Sequence, residues 1–442
     1  MRFLFATWDG GGNVPPTLVI ARRLVARGHS VRILAPRSLL PSIAAAGCAF
    51  TPYRCVPSGM PTAAGSTGGG RIRASLLALE LARAAPVLAF AEDVLDEVAR
   101  TRPNVLVVDF MLGGAVAAAE RAGLPTAALM HTVYCLRPGF GAAWKRGSSS
   151  PLVLRDGAVS SVVRARTRRR LGELNEARRI LGLDPVDSAA AQLASLARVL
   201  VLTTEAFDPP PAAGIPPNVR YVGPQVDESS DGEEALCLPW PDDDPRPLAL
   251  VSFSTRFASP GVVQRVLDGL AGLPVRTLLT VGSALSQDEL RVSADLVVRR
   301  FVPHSAVLPR ARLVVTHGGL GTIMSSLAHG VPLICIPLKN DQFENAARVV
   351  AAGAGLQVGR WALRRSLRRA VSELLSEPRF AESARRVARD IAVYGDAAAD
   401  ELEECANDHP SRARRSSAPR ESSVRCGVSS RAEYTPGSAS VL

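Results

Sequence analysis

The chain has 442 residues, of which 47% are hydrophobic and 21% are charged. This length accommodates two domains of ordinary size, and the composition excludes a disordered protein. The formal net charge is +11, but Lys occurs only at positions 145 and 339, so the charge indicates a compositional bias toward Arg and we exclude nucleic acid as a partner.

Neither the cysteines nor the apolar runs indicate an extracellular or membrane protein. The seven cysteines lack the spacing of metal ligands, and their odd number argues against a complete disulfide framework, so we expect reduced thiols. No apolar run reaches the roughly 18 residues of a membrane span, and the chain begins with a strand pattern. We therefore expect a cytoplasmic protein without stable membrane insertion.

The chain opens with a predicted βαβ unit. Residues 2–7 form a strand, residues 8–13 (WDGGGN) form a turn, and the spacing of apolar residues after Pro15 and Pro16 predicts a helix leading to a strand at 30–35. The turn lacks the G-x-G-x-x-G pattern, and the second strand does not end in an acid that would hold a ribose. These features therefore argue against a dinucleotide-dependent dehydrogenase.

Two further predicted strands end in titratable residues. The strand at 104–108 ends at Asp109, and the strand at 126–130 ends at His131. Because the carboxyl ends of parallel strands lie at one edge of a sheet, both side chains are candidates for a site there, together with Asp9 in the first turn. A helix cap at Asp109 and a structural role for His131 are the alternatives.

Three stretches each allow two interpretations. The Gly/Ser/Pro-rich loop at 57–71 suits an acceptor-site flap as well as a solvated linker. For the basic helical stretch at 155–179, we favour a solvated helix face over contact with an anionic membrane or an acidic partner. Acids at 242–244 are typical of Mg²⁺ ligands, but their Pro-rich surroundings favour a solvated loop.

The most informative stretch is 313–337, which reads LVVTHGGLGTIMSSLAHGVPLICIP. It predicts a strand at 313–316, a glycine turn, a helix at 322–329 and a strand at 331–337. Glycines between a strand and a helix leave helix N–H groups free for a phosphate or diphosphate. The polar run 339–345 then adds acceptors for hydroxyl groups, so the two segments together suit a nucleotide-sugar.

This motif resembles the signature of family 1 glycosyltransferases with the GT-B fold, which decorate small molecules. The matching residues are His317, Gly318, Gly319, Gly321, Thr322, Gly330, Pro332, Pro337, Asp341, Gln342, Asn345 and Ala346. The resemblance extends over residues 1–405 and implies an α/β fold with two Rossmann-like β/α/β domains facing a cleft. It also implies a transferase of bacterial natural-product, including antibiotic, biosynthesis.

The resemblance and the composition together predict the domain boundaries. The expected parts are an acceptor-binding domain at 1–225, a Pro- and acid-rich linker at 226–247, a nucleotide-sugar domain at 248–394, a helix at 395–406 that returns to the first domain, and a tail at 407–442. The tail is rich in Ser, Arg and Pro, so we expect it to be disordered. Residues 363–393 are expected to form one helical stretch.

On the donor side, the resemblance implies inverting displacement at the anomeric carbon with neither a metal nor a cofactor. Dipoles and side chains would stabilise the charge that develops on the leaving diphosphate. In this comparison, Phe301 stacks on the base, the backbone of Val302 bonds to it, and Asp341 and Gln342 hold sugar hydroxyls. The residues expected around the diphosphate are Ser254, Thr255, His317, Gly318, Gly319, Gly321 and Thr322.

The acceptor side departs from the family pattern. Relatives read G-H-x-x-P in the first turn and use its His as the base, whereas this chain has Asn13 at that position. Because an amide has no usable basicity, we rank Asp109 first as the base, acting directly or through a water held by Asn13. His131 and Asp9 are the reserves, and an acidic phenol, an activated carbon or an amine acceptor would lessen the need for any base.

The donor-site helix also departs from the pattern. Relatives commonly carry a Glu there that accepts hydrogen bonds from both ribose hydroxyls, and this chain has Ser325 at the matching position. Deoxyribose has no 2′-hydroxyl to leave unpaired, so we favour a dTDP-sugar over a UDP-sugar, and hence a deoxysugar as the transferred group.

Two alternatives remain at this stage. A non-catalytic binding or helper protein of the same fold is supported by the missing His, and a sugar-nucleotide epimerase would leave the acceptor half without a purpose. The acceptor, the sugar and the regiochemistry are not specified by these patterns. A homodimer is left open.

Overall fold

The computed structural model describes residues 1–56, 84–137, 156–227, 238–241, 243–253, 260–282, 285, 287–292, 295–338, 341–359 and 363–407. In the helices that begin at residues 84, 156 and 363, side chains are described from residues 87, 168 and 364 onward. The predicted flap at 57–71 and the predicted tail beyond Asn407 lie outside the described residues.

Within these ranges, the first sheet has seven parallel strands in the order β3-β2-β1-β4-β5-β6-β7. The strands are β1 (Arg2–Ala6), β2 (Ser30–Ala35), β3 (Ala49–Pro52), β4 (Val105–Asp109), β5 (Thr126–Met130), β6 (Arg198–Val201) and β7 (Val219–Tyr221). The helices that follow them are α1 (Val14–Ala26), α2 (Leu40–Ala45), α3 (Ala84–Thr101), α4 (Gly113–Ala122), α5 (Asp156–Ile180) and α6 (Ala189–Ala194).

The second sheet has six parallel strands in the order β10-β9-β8-β11-β12-β13 over the same described ranges. They are β8 (Leu248–Ser252), β9 (Arg276–Thr280), β10 (Leu296–Arg299), β11 (Ala311–Thr316), β12 (Leu333–Cys335) and β13 (Gly355–Gln357). The helices are α7 (Pro260–Leu270), α8 (His304–Val307), α9 (Leu320–Ala328), α10 (Gln342–Ala351), α11 (Leu363–Ser376), α12 (Pro378–Ala392) and α13 (Ala397–Asn407). Short 3-10 turns lie at Arg37–Leu39, Gln287–Glu289 and Leu308–Arg310.

Both sheets are buried on both faces. Successive residues of β1 enter different cores: Phe3 and Phe5 lie in one cluster, and Leu4 and Ala6 lie in the other. A strand buried on both faces needs a continuous apolar run rather than an alternating one. Two parallel sheets, each with helices and buried apolar residues on both faces, confirm the predicted α/β fold of two Rossmann-like units.

The last helix, α13, packs against the first sheet although it follows the second sheet in the chain. Leu402 and Cys405 are buried in the same core cluster as Phe5. Ionic contacts surround this docking, with Arg27 Nη1 2.6 Å from Asp400 Oδ1 and His29 Nε2 2.7 Å from Glu403 Oε1. The chain therefore crosses back from the second half to the first.

Two of the element boundaries that differ from expectation have local reasons. Residues 363–393 form two helices, because Pro378 cannot donate to the preceding turn and instead begins α12. Helix α9 begins at Leu320 rather than residue 322, with Gly319 as its extended N-cap residue. Within the described ranges, no helix combines the length and the apolar content of a membrane span.

Candidate functional site

The acceptor-side cluster is built on a contact between Asn13 and Asp109. Asp109 is the last residue of β4, Asn13 precedes α1, and both are buried. Asn13 Nδ2 lies 2.8 Å from Asp109 Oδ2 and donates to it. The backbone N–H of Met111 donates to the other carboxylate oxygen at 2.9 Å. The carboxylate is thus held by two donors from two different turns.

The Asn13 amide also makes hydrogen bonds within its own turn. Its Nδ2 lies 2.9 Å from the carbonyl oxygen of Trp8 and 3.3 Å from Thr7 Oγ1, and its Oδ1 accepts from Gly10 N at 3.0 Å. An amide provides donors and an acceptor at once, which a single imidazole nitrogen does not. Asn13 therefore fixes the geometry of the first turn and of Asp109 together.

His131 approaches the same carboxylate oxygen from the end of β5. Its Nε2 is 3.4 Å from Asp109 Oδ2, and the side chain is 8% exposed. Burial lowers the pKa of His131, while the charge of Asp109 opposes that shift. Among the described residues, neither ring nitrogen has a hydrogen-bond partner. A buried polar group without a hydrogen-bond partner is uncommon, so this ring is a candidate for a functional role.

Asp9, the other reserve, lies in the same first turn but has a different neighbour. Its Oδ2 accepts from Ser38 Oγ at 3.0 Å, on the short turn that follows β2. The structure thus brings Asn13, Asp109 and His131 together, while this contact directs Asp9 toward Ser38.

On the donor side, the glycine turn between β11 and α9 is shaped by close backbone contacts. Gly318 has φ +90°, and a Cβ there would lie 2.9 Å from the carbonyl oxygen of Gln342. A Cβ on Gly319 would lie 2.8 Å from His317 Nε2. Side chains at these positions would displace the backbone of Gln342 or the ring of His317, which explains the two consecutive glycines.

Helix α9 presents a suitable N-terminus beside this turn. Its first turn has no acidic residue and no side-chain cap. Gly321 is exposed and Thr322 is half-buried, and the first N–H groups of a helix have no partner within the helix. His317 is 9% exposed and lies 6.1 Å from Phe253, ring centroid to ring centroid. An anion placed here meets backbone donors, a helix dipole and an imidazole.

The segment after β12 is tied to the glycine turn. Asn345 Nδ2 donates to the carbonyl oxygen of Gly318 at 3.0 Å and to Asp341 Oδ2 at 3.1 Å. Gln342 Oε1 accepts from Leu338 N at 2.9 Å. Residues predicted to hold the diphosphate and the sugar therefore form one connected network.

The other donor-side residues divide by exposure. Phe301 is 73% exposed, which excludes a core role and leaves its ring available for stacking, while Val302 is buried. Ser325 is half-buried, and its carbonyl oxygen lies 2.8 Å from His329 Nδ1. Ser254 and Thr255 lie outside the described residues.

The two clusters meet at a contact that the sequence patterns did not indicate. Thr132 Oγ1, one residue after His131, donates to Asp341 Oδ2 at 3.2 Å. Arg348 of α10 also contacts the buried Asp208 of the first half. A single Thr or Arg belongs to no recognisable sequence motif, so these contacts could not be predicted from the sequence. The one available signal was the acid Asp208, which needs a cationic partner if it is buried.

Comparisons with known proteins agree with this architecture. Residues 264–401 match the family described as "Erythromycin biosynthesis protein CIII-like, C-terminal domain". The 4'-demethylrebeccamycin synthase of Lentzea aerocolonigenes is 31% identical over 421 residues, covering 91% of this chain and 98% of that protein.

Solved structures share the fold. The glycosyltransferase of kitacinnamycin has a TM-score of 0.71 at 22% identity, covering 91% of this chain and 98% of the other. Glycosyltransferase VinC, solved in complex with dTDP, has a TM-score of 0.61 at 17% identity, covering 92% of this chain and all (100%) of the other. The full-length relative and the shared fold confirm the resemblance: the chain belongs to the family 1 glycosyltransferases and is a natural-product glycosyltransferase with the GT-B fold.

Proposed function

We propose that this glycosyltransferase moves a sugar, favoured to be a deoxysugar, from a dTDP-sugar to a small-molecule natural-product acceptor with inversion at the anomeric carbon. The contact between Thr132 and Asp341 carries the proposal. Thr132 follows His131 in the chain, so the contact brings the acceptor-side cluster next to a side chain that is predicted to hold the sugar. A donor sugar held at Asp341 then faces the His131 and Asp109 pair.

The leaving group is stabilised on the opposite side. His317, the backbone of Gly318 and Gly319, Thr322 and the N-terminus of α9 receive the negative charge that develops on the diphosphate, without a metal ion. The exposed ring of Phe301 stacks on the thymine base. Ser325 offers no carboxylate for a ribose 2′-hydroxyl, which supports the preference for dTDP.

The acceptor proton goes to the cluster on the first sheet. We rank Asp109 first, with Asn13 holding its carboxylate in place, as the 2.8 Å contact supports. The unpartnered ring nitrogens favour His131 as the second candidate. Burial lowers the pKa of His131, so its ring is neutral and able to accept a proton at neutral pH.

The test uses dTDP-glucose with two phenol acceptors, 4-nitrophenol and the less acidic phenol. Asp109→Asn should keep dTDP affinity but lower turnover of phenol at least about tenfold, since a general base contributes roughly a hundredfold or more. The loss should be smaller for 4-nitrophenol and should shrink as pH rises, because those acceptors ionise unaided.

The matched variant is His131→Ala. Normal turnover by Asp109→Asn together with inactive His131→Ala would assign the base to His131. In that case turnover of the wild type should fall as pH drops through the lowered pKa of His131. Failure of the wild type to transfer sugar from any nucleotide-sugar would contradict the function itself and favour a helper protein.

A further inference from the structure

One buried carboxylate connects the two halves of the molecule. Asp208 follows β6 and is 0% exposed. Its Oδ2 accepts from Tyr134 N at 2.7 Å and from Tyr221 Oη at 3.2 Å, while its Oδ1 lies 2.9 Å from Arg348 Nε and also contacts Arg137 Nη2. Both oxygens are therefore paired, as a buried charge requires.

The partners of Asp208 come from the two segments that bear the site. Arg137 and Tyr134 end the segment that begins with His131, on the acceptor side. Arg348 lies on α10, which begins immediately after Asp341 on the donor side. A single carboxylate thus joins the segment of the candidate base to the helix of the candidate sugar-holding residues.

Helix α10 is consequently fixed at two points. At its start, Asp341 accepts from Thr132, and near its end Arg348 pairs with Asp208. At 1.5 Å of rise per residue, these points are separated by about 10 Å along the helix. The burial of Ala346 and Val349 holds the helix in its core, and the two polar contacts with the first half add to this and fix its direction.

We propose that Arg348 and Asp208 are positioning residues that hold the sugar-binding end of α10 in register with the His131 and Asp109 pair. This inference rests on the proposed function. When both residues are present, the anomeric carbon of the donor faces the acceptor hydroxyl rather than water. The glycine turn that binds the diphosphate contacts α10 near its start, at Gln342 and Asn345, whereas Arg348 lies near its end. Loss of the pair therefore leaves donor binding intact but misaligns the sugar.

The experiment compares Arg348→Ala and Arg348→Lys in the full chain, with dTDP-glucose and 4-nitrophenol. Three quantities are measured: the Kd of dTDP, the rate of transfer, and the rate of dTDP-glucose hydrolysis in the same mixture. We expect Arg348→Ala to bind dTDP normally, to transfer about tenfold more slowly, and to raise the ratio of hydrolysis to transfer about tenfold, because small misplacements of reacting groups have effects of this size.

Arg348→Lys should recover part of the transfer rate because it keeps the positive charge. The recovery should be incomplete because lysine lacks the Nε–H that contacts Asp208. Asp208→Asn should raise the same ratio, and combining it with Arg348→Ala should add little, because both changes break one contact.

The control is Arg178→Ala. Arg178 is buried, whereas Arg348 is half-buried, and Arg178 likewise pairs with a carboxylate, that of Glu120, at 2.7 and 3.0 Å entirely within the first half. We expect this variant to lower Tm without changing the ratio of hydrolysis to transfer. The positioning role is overturned if Arg348→Ala lowers Tm and leaves that ratio at the wild-type value. Transfer by the wild type would still stand in that case, so the two failures are distinguishable.

Discussion

Each half of the molecule places a glycine-containing turn between a buried parallel strand and a helix, but the two turns leave their helix N-termini in different states. Helix α9 begins Leu320-Gly321-Thr322, so its first N–H groups are all present. Helix α1 carries Pro15 and Pro16 in its first turn, and the N–H of Val14 is 3.4 Å from the carbonyl oxygen of Gly11. Because proline has no N–H, the acceptor-side turn lacks the donors of an anion site.

The comparison indicates that the residues of the first helical turn decide whether a glycine-containing βα turn can bind an anion. On the donor side the first N–H groups of α9 and the adjacent His317 are the candidate binding elements. On the acceptor side Asn13 accepts a hydrogen bond from the backbone of Gly10, and the side chains of Asp109 and His131 are the candidate catalytic groups. The following substitutions test this division, from the largest expected effect to the smallest.

His317→Ala should weaken dTDP binding roughly 10- to 100-fold, because it removes a donor to a charged diphosphate, and such hydrogen bonds contribute about 1.5–3 kcal/mol. The fold should be little affected, since the residue lies on a turn. Isothermal calorimetry with dTDP measures the first effect and thermal unfolding the second. Unchanged dTDP affinity would show that the imidazole takes no part in donor binding.

Asn13→Ala should have the opposite profile. The amide makes contacts with Gly10, Trp8 and Asp109, so its removal should lower the free energy of unfolding by about 2–4 kcal/mol while dTDP affinity stays within twofold. Urea unfolding and calorimetry give the two values. A weakened dTDP affinity at normal stability would contradict the assignment of the two turns.

Ser325→Glu should shift the donor preference toward UDP by about tenfold, because a carboxylate accepts hydrogen bonds from both ribose hydroxyls. Competition between UDP and dTDP measures this preference. Ser325→Gln is the matched control and should give a smaller shift, since it lacks the charge. If the wild type already prefers UDP clearly, the inference about the donor is wrong.

Pro15→Ala should have the smallest effect. It restores one N–H to an exposed position of α1, and it should lower the free energy of unfolding by only about 0.4–1 kcal/mol because the unfolded chain gains freedom. No gain in dTDP affinity is expected. A second dTDP binding event in the calorimetric titration would show that proline alone keeps this turn from binding anions.

The amino-acid sequence by itself determined the fold class, the donor motif and several strand ends. The runs that end at Asp109 and His131 were predicted to within one residue, because strands buried on both faces are continuous apolar runs stopped by a polar residue. Shorter strands such as β7 and β13, with three residues each, have too little pattern to be recognised.

Only the tertiary structure decided how the site is assembled. The contact of Asn13 with Asp109 joins residues 96 positions apart, that of Arg348 with Asp208 joins residues 140 apart, and that of Thr132 with Asp341 joins residues 209 apart. Local periodicity indicates which side of a helix or strand is buried, but it contains no information on how the two halves of the chain are placed relative to each other. The pairing of the acceptor cluster with the donor turn follows from that placement.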